Sequence, residues 1–284
     1  MSIHAASSRL TLRQIQALHA GGEKIAMLTA YDFVTAALVD QSGVELILVG
    51  DSLGNVVLGF ETTIPVRLED TIRHTAAVVR GTERALVIAD LPFGSATDPE
   101  TALRSAIRVF QETGCQAVKL EGGLEVAPVV DRLVSQGIPV MAHIGLVPQS
   151  IHQLGGYYKH GKTLENAVYL RESALALQSA GAFAVVLEMV VPELATEITS
   201  SLKIPTIGIG SGEGCSGQVL VINDLIGLGV RPAPKFAKPR ADVAGEIRRA
   251  VSEYVRDVKG TSVAAPGLKV SANEEERNQQ GALP

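Results

Sequence analysis

From residue 25 onward, short runs of aliphatic residues alternate with longer stretches of helical periodicity. Leu46–Val49 (LILV) is the clearest of the short runs: four consecutive aliphatics leave no side for solvent, the pattern of a strand buried on both faces. Similar runs recur at Ile25–Ala30, Ala85–Ala89, Ala117–Leu120, Pro139–His143, Ala184–Leu187 and Thr206–Ile209. Between them the spacing predicts helices over Phe33–Gln41, Leu68–Arg80, Pro99–Thr113, Leu124–Gln136, Thr163–Ala180 and Pro192–Leu202. Asp98 before Pro99 supplies an N-cap with proline in the first turn, and Gly114, Gly137 and Gly181 supply stops. Beyond the seventh strand the pattern predicts a helix over Gln218–Leu228, a short eighth strand at Lys235-Phe236 and a last helix over Ala241–Val258. Eight strands alternating with helices, at the length of one domain, predict a closed (β/α)8 TIM barrel rather than an open sheet.

Two ends of the chain read differently from this repeat. Thr11-x-x-Gln14 is a capping box that opens a helix over 11–20, stopped at Gly21-Gly22, so the barrel is expected to carry an N-terminal capping helix within a domain spanning 1–260. Arg9 and Arg13, with no acid before Glu23, also carry a faint transit-peptide character. From Thr261 the chain turns to Ala, Pro, Gly and Asn with Glu274-Glu275-Glu276, which predicts a flexible tail over 261–284. The segment Ile144–Lys162 is rich in Gly, Tyr, Gln and His and has no period, so it is expected to be a functional loop.

Composition narrows the partners. Hydrophobic residues make up 46% of the 284, enough to bury a large core. Lys plus Arg total 25 against 30 Asp plus Glu, for a net charge of −5, which removes the electrostatic footprint expected for nucleic acid or an anionic membrane. No apolar run approaches the roughly 18 residues of a membrane span. The two cysteines, Cys115 and Cys215, are too far apart in sequence for a zinc or C-x-x-C motif and fit a reduced cytoplasmic setting.

The chemistry gathers where the strands end. Asp51 follows the second strand, Asp90 the third, Glu121 the fourth and Glu188 the sixth, with Lys119 beside Glu121 and His143 closing the fifth. In a (β/α)8 barrel these ends converge on the face that holds the active site. One such acid is ordinary turn chemistry; four on one rim would repel and resist desolvation unless a cation sat among them. An all-oxygen donor set selects Mg2+ over Zn2+. An open position on such an ion suits a 2-oxo acid, whose neighbouring carbon becomes acidic, and Glu188 is then the candidate base. Lys119, His143 and Ser52 are candidates for holding the substrate carboxylate. Two alternatives stay open at this point: Lys119 and Glu121 share a strand face and could form a plain salt bridge, and His143 could be a core histidine.

The segments GDSLGNVVLG, TTIPV, ADLPFGS, AVKLEGG, PVMAHIGLVPQS, GAFAVVLE and IPTIGIGSG, in that order between Ile25 and Val258, resemble the ketopantoate hydroxymethyltransferase (3-methyl-2-oxobutanoate hydroxymethyltransferase) family. The resemblance implies a Mg2+-dependent barrel that transfers a one-carbon unit from 5,10-methylenetetrahydrofolate to 3-methyl-2-oxobutanoate. Its product is 2-dehydropantoate, on the pantothenate route to coenzyme A, and its assembly is a homodecamer. It places metal ligands at Asp51, Asp90 and Glu121, substrate contacts at Asp51, Ser52, Asp90, Lys119 and His143, and the proton acceptor at Glu188. The chain departs from the family pattern with Ser211 where Ala is usual, Ser216 where Asp is usual and Met189 where Cys is common. Two rival readings remain. Barrels of the phosphoenolpyruvate mutase and isocitrate lyase type also hold Mg2+ on rim carboxylates, although the Lys-Lys-Cys-Gly-His run of the lyases is absent here. An inactive barrel serving as a 2-oxo acid sensor or scaffold predicts an eroded rim.

Overall fold

A computed structural model describes residues 9–260. Its centre is a closed barrel of eight parallel strands in sequence order: β1 (Ile25–Thr29), β2 (Leu46–Val49), β3 (Leu86–Asp90), β4 (Ala117–Glu121), β5 (Val140–Gly145), β6 (Ala184–Glu188), β7 (Thr206–Ile209) and β8 (Gly217–Leu220), with β8 returning to pair with β1. The helices are α1 (Leu12–Ala20), α2 (Phe33–Gln41), α3 (Leu53–Val56), α4 (Leu68–Gly81), α5 (Pro99–Thr113), α6 (Ala127–Ser135), α7 (Ile151–Leu154), α8 (Leu164–Ser179), α9 (Pro192–Ser201), α10 (Ile222–Leu225) and α11 (Val243–Val258). The tail expected over 261–284 lies outside the described residues. No helix among the described residues is long and apolar enough to cross a membrane.

Strand parity divides the barrel into two cores. Leu46, Leu48, Leu86, Ile88, Ala117, Met141, Ala184 and Val186 fill the inside. The alternate residues Ile47, Val49, Val87, Ala89, Val118, Val140, Val185 and Leu187 pack outward against the helices. Both layers are apolar because a parallel sheet sheathed in helices has no wet face. At the N-terminal end, Ile15 of α1 is fully buried among the inside residues, with Leu12 and Leu18 packed beside it. The Thr11–Gln14 capping box is formed as the sequence predicts, and α1 closes the bottom of the barrel.

The eighth strand is not where the periodicity puts it. Lys235-Phe236 forms a turn, closed by Ala237 N–H donating to Pro234 O at 2.8 Å, and the flanking prolines have no N–H for a ladder. The strand is instead Gly217–Leu220, overlapping the start of the predicted helix Gln218–Leu228, of which only Ile222–Leu225 is helical. Its apolar run is too short to distinguish strand from helix by period. The informative residue is Gly217: a Cβ there would lie 2.3 Å from the carbonyl oxygen of Ile25, so only glycine lets β8 close on β1. The loop expected over Ile144–Lys162 contains the end of β5, a turn of 3-10 helix at Pro148–Ser150 and α7. Contacts group residues up to Ala241 into one unit, and residues from Asp242 onward into a second, of which α11 is the described part.

A buried carboxylate organises the entry to β3. Asp40, near the end of α2, accepts from three successive backbone N–H groups: Glu83 at 2.9 Å, Arg84 at 3.0 Å and Ala85 at 2.6 Å. Burial alone would raise its pKa, but the three N–H donors and Arg9 outweigh that and hold it below the ordinary value. Asp40→Ala strands those donors and is expected to cost about 2–4 kcal/mol in urea unfolding at pH 7. A carboxyl with a depressed folded pKa stabilises above its unfolded pKa of about 3.9, and that gain is lost as pH falls through the folded value. The gap between wild type and Asp40→Ala is therefore expected to be constant above about pH 5 and to shrink in more acid solution. A gap that widens toward acid would contradict the clamp.

Candidate active site

Register alone brings most of the candidate residues together. Asp90 on β3 pairs with Lys119 on β4, Glu121 on β4 pairs with His143 on β5, and Gly145 on β5 pairs with Glu188 on β6. In-register neighbours point to the same face, as do residues two apart on one strand. The sequence Asp90, Lys119, Glu121, His143, Gly145, Glu188 is therefore one continuous path along the inner face, climbing by two residues at each strand. Asp51 joins it from the turn after β2, its N–H donating to Asp90 Oδ2 at 3.2 Å.

The inner end of this path is dry and densely charged. Asp51, Asp90, Lys119 and His143 are all 5% exposed or less. Lys119 Nζ donates to Asp90 Oδ2 at 2.6 Å and to Glu121 Oε1 at 3.3 Å, so the salt bridge foreseen with Glu121 is present and the one to Asp90 is shorter. His143 lies between two carboxylates, Nδ1 at 3.4 Å from Glu121 and Nε2 at 3.3 Å from Glu188. Neither contact has hydrogen-bond geometry, so the imidazole is held by charge and packing rather than as a satisfied core histidine. Ser52 Oγ lies 2.8 Å from the Tyr31 hydroxyl. Gln149 N–H donates to Glu121 Oε2 at 3.0 Å, and its side chain donates to Leu91 O.

Electrostatics separates these groups. Burial, then the charges of Glu121 and Asp90, push the Asp51 carboxyl up to about 8, with Lys119 acting the other way. Burial also raises Asp90 in spite of Lys119. Burial would raise Glu121 too, but Lys119 and His143 prevail and bring it down to about 2. His143 is pushed up to about 9: burial and Lys119 act to lower it, and Glu121 and Glu188 outweigh them. For Lys119, burial acts to lower the pKa and the surrounding carboxylates, Asp90 first, more than reverse it.

The four carboxylates Asp51, Asp90, Glu121 and Glu188 outnumber the two cationic groups that face them, Lys119 and His143, and leave an excess of negative charge. Asp51, Asp90 and Glu121 each direct one oxygen to within 4.8 Å of the others. Asp51 Oδ2 and Asp90 Oδ1 are buried with no hydrogen-bond donor. Orphaned buried oxygens in an all-oxygen, electron-rich set fit a hard divalent cation and do not fit a softer metal that favours nitrogen or sulfur.

Glu188 stands at the edge of this cluster, partly open to the cavity, and the turn behind it is specially built. Met189 has φ 51°, the one non-glycine positive φ among the described residues. Ser211 fastens that turn: Val190 N–H donates to its Oγ at 2.9 Å, and the hydroxyl donates to Leu187 O at 2.7 Å. Ser216 exchanges hydrogen bonds with Thr206, each backbone N–H reaching the other's hydroxyl at 3.2 Å. The two serines that depart from the family pattern thus have local structural partners.

A cavity of about 550 Å³ opens over the cluster. Asp51, Ser52, Asp90, Lys119, Glu121, His143 and Glu188 all line it, and so do Tyr157, Asp224 and Phe236, which the sequence reading passed over. Tyr31 was passed over as well, although it lies two residues past the end of β1, within reach of the strand-end rule.

Gly145 is where the backbone leaves no choice. Its φ is +99°, and a Cβ would lie 2.2 Å from the Glu188 carbonyl oxygen. Gly145→Ala is expected to lose about 2–4 kcal/mol of stability from strain and overpacking together. Gly137, with φ +80° and open space around it, is the control, and Gly137→Ala should cost only about 1–2 kcal/mol. Equal losses in chemical denaturation would show that Gly145 is not set by the close approach of β6.

Comparison with known proteins adds to this geometry. The family model described as ketopantoate hydroxymethyltransferase matches residues 9–265. A protein of Chloroflexus aurantiacus is 54% identical over 258 residues, covering 91% of this chain and 92% of its own length. One from Dehalococcoides mccartyi is 53% identical over 264 residues, covering 93% and 94%. Both bear the name 3-methyl-2-oxobutanoate hydroxymethyltransferase. Among solved structures, phosphonopyruvate hydrolase with oxalate and Mg2+ superposes with a TM-score of 0.60 at 14% identity, covering 95% of this chain and 97% of its own. 2,3-Dimethylmalate lyase, of the phosphoenolpyruvate mutase and isocitrate lyase superfamily, superposes with 0.57 at 14% identity, covering 97% and 95%. These two likenesses, at 14% identity, show the barrel alone.

Proposed function

The chain belongs to the ketopantoate hydroxymethyltransferase family, and we propose that it transfers the one-carbon unit of 5,10-methylenetetrahydrofolate to 3-methyl-2-oxobutanoate, giving 2-dehydropantoate and tetrahydrofolate. The observation that carries this reading is the convergence of Asp51, Asp90 and Glu121 within 4.8 Å, with the Glu188 carboxylate two strands further along the same inner face. Asp51, Asp90 and Glu121 would hold Mg2+. When bound there, the ion supplies charge withdrawal from the ketone of the substrate, which lowers the pKa of its C3 proton.

The remaining work falls to the chain's own groups. Lys119, paired to Asp90 and Glu121 in the buried wall, and Ser52, held by the Tyr31 hydroxyl, present donors to the carboxylate of the oxo acid. Glu188 takes the C3 proton as general base. His143, 3.3 Å from Glu188, holds that carboxylate in place and donates toward oxygen as negative charge builds up on the substrate. C3 then forms the bond to the methylene carbon, water supplies the hydroxyl oxygen of the new CH2OH group, and both folate C–N bonds are replaced by N–H. The C3 proton and one proton of water account for the two new N–H bonds. The cavity walls, largely apolar above the cluster, keep bulk water away from the reacting carbon.

The phosphoenolpyruvate mutase and lyase reading shares the barrel and an acidic rim, but the relatives above 50% identity carry the hydroxymethyltransferase name over nearly the whole chain. The scaffold reading predicts eroded rim acids, and Asp51, Asp90, Glu121 and Glu188 are all present.

Turnover with 3-methyl-2-oxobutanoate and methylenetetrahydrofolate is expected with Mg2+, is expected to cease in EDTA, and is expected to return when Mg2+ is restored. Absence of turnover with Mg2+ present would remove the assignment. In D2O without folate, the wild type is expected to exchange the C3 proton, observed by NMR, and Glu188→Gln to exchange it about 100-fold or more slowly. Exchange in Glu188→Gln at the wild-type rate would place the base elsewhere.

A further inference from the structure

The cavity is larger than the oxo acid requires. At about 550 Å³ it falls in the range of about 300–1,000 Å³ that encloses drug-sized ligands, whereas 3-methyl-2-oxobutanoate has five carbons and three oxygens. The groups that serve the acid and the proton transfer come from β2 through β6. The opposite wall comes from β8 and the segment after it, and there the lining includes Asp224, Lys235 and Phe236.

Asp224 is the notable group on that wall. It lies on α10, directly after β8, and is half-buried. Its carboxylate makes no hydrogen bond or ion pair with any described residue, although burial raises its pKa and so penalises its charge. A half-buried carboxylate that accepts no hydrogen bond has its acceptor capacity free for a ligand. Beside it, the Phe236 ring lines the same cavity and is 38% exposed. The ring packs against the backbone of Gly210, where a Cβ would approach it to 3.2 Å. The turn closed by Ala237 N–H on Pro234 O presents that ring, and Arg240 N–H donating to Leu225 O ties the segment back to α10.

The co-substrate assigned above has a matching edge. The pyrimidine side of a reduced pterin presents a ring N–H and an exocyclic amino N–H as adjacent, nearly parallel donors. A single carboxylate accepts such a pair with both oxygens, in the geometry by which carboxylates accept the two N–H groups of an arginine fork. An adenine edge, which offers one donor beside one acceptor, leaves one carboxylate oxygen facing a lone pair. A phosphate or free carboxylate is repelled outright. Resting on the folate-dependent reading of this site, we propose that Asp224 is the pterin-recognition residue, its carboxylate accepting from the ring N–H and the 2-amino group while the Phe236 ring lies against the bicycle. The one-carbon unit then faces the oxo acid across the cavity, and the anionic glutamyl tail is directed away from Asp224 toward solvent.

The test is a binding titration on the Mg2+-loaded protein, followed by protein fluorescence, with tetrahydrofolate and with its analogue carrying a methyl group in place of the 2-amino group. Wild type is expected to bind tetrahydrofolate about 10–100-fold more tightly than the analogue, the range expected for loss of a charge-assisted hydrogen bond. Asp224→Asn is expected to weaken tetrahydrofolate by a similar factor and to bring the two ligands close to equal affinity. In steady state the same substitution should raise KM for methylenetetrahydrofolate far more than KM for 3-methyl-2-oxobutanoate. Equal affinity of the two ligands for wild type overturns the proposal and requires no variant to fold. So does an Asp224→Asn protein that still discriminates between them as wild type does. A wild type that neither binds tetrahydrofolate nor turns over with methylenetetrahydrofolate refutes the folate reading itself, which is a different result from binding without discrimination.

Discussion

The register of four adjacent strands is the constraint on which the rest depends. Asp90 opposite Lys119, Glu121 opposite His143 and Gly145 opposite Glu188 define one path along the inner face, and a slip of one residue on any strand would turn its member of that path out toward the helices. The slip is prevented lower in the barrel, where Leu86, Ile88, Ala117, Met141, Ala184 and Val186 of the same strands fill the interior. The apolar half of each strand thus holds the register that aims the charged half. Gly145 completes the path by omission: a side chain there would collide with the Glu188 backbone.

Once register has gathered these groups, charge determines what the site can bind. Lys119, buried between Asp90 and Glu121, and His143 beside Glu121 make these carboxylates tolerable but do not neutralise them all, and burial first, with the neighbouring carboxylates, still raises the pKa values of Asp51 and Asp90. A fold that held only structural ion pairs would leave no orphaned carboxylate oxygens; here Asp51 Oδ2 and Asp90 Oδ1 are both orphaned. The site is a locally destabilised part of an otherwise well-packed barrel, and a bound cation relieves it. Backbone strain accumulates in the same place, at Met189 directly after Glu188, where Ser211 fastens the turn.

Much of this was legible in the chain. Aliphatic runs that end abruptly in an acid mark both the strand and its functional end, and the Lys119-x-Glu121 spacing already put two site residues on one face. The barrel itself followed from the alternation of elements. What was not legible has identifiable causes. The run at Gly217–Leu220 is too short for its period to separate strand from helix, so β8 was expected at Lys235-Phe236 and its true place depended on a glycine whose neighbour, Ile25, lies far away in sequence. Asp224 sits one short turn beyond that misplaced strand and so escaped a rule that looks for acids at strand ends. Gln149 reaches the site through a hydrogen bond to Glu121, a contact that no local spacing encodes. The opposite pulls on Asp51 and Glu121, one carboxyl raised and the other lowered within one cluster, arise only from three-dimensional placement.

The central claim is that Asp51, Asp90 and Glu121 are brought together to hold one divalent cation. Electron paramagnetic resonance with Mn2+ as a substitute for Mg2+ measures this directly, because bound and free Mn2+ give different spectra and a titration counts the sites. The account predicts one Mn2+ per chain, displaced by Mg2+, with affinity reduced about tenfold or more in each of Asp51→Asn, Asp90→Asn and Glu121→Gln. Wild-type affinity retained in all three variants, or no stoichiometric binding by the wild type, would contradict it.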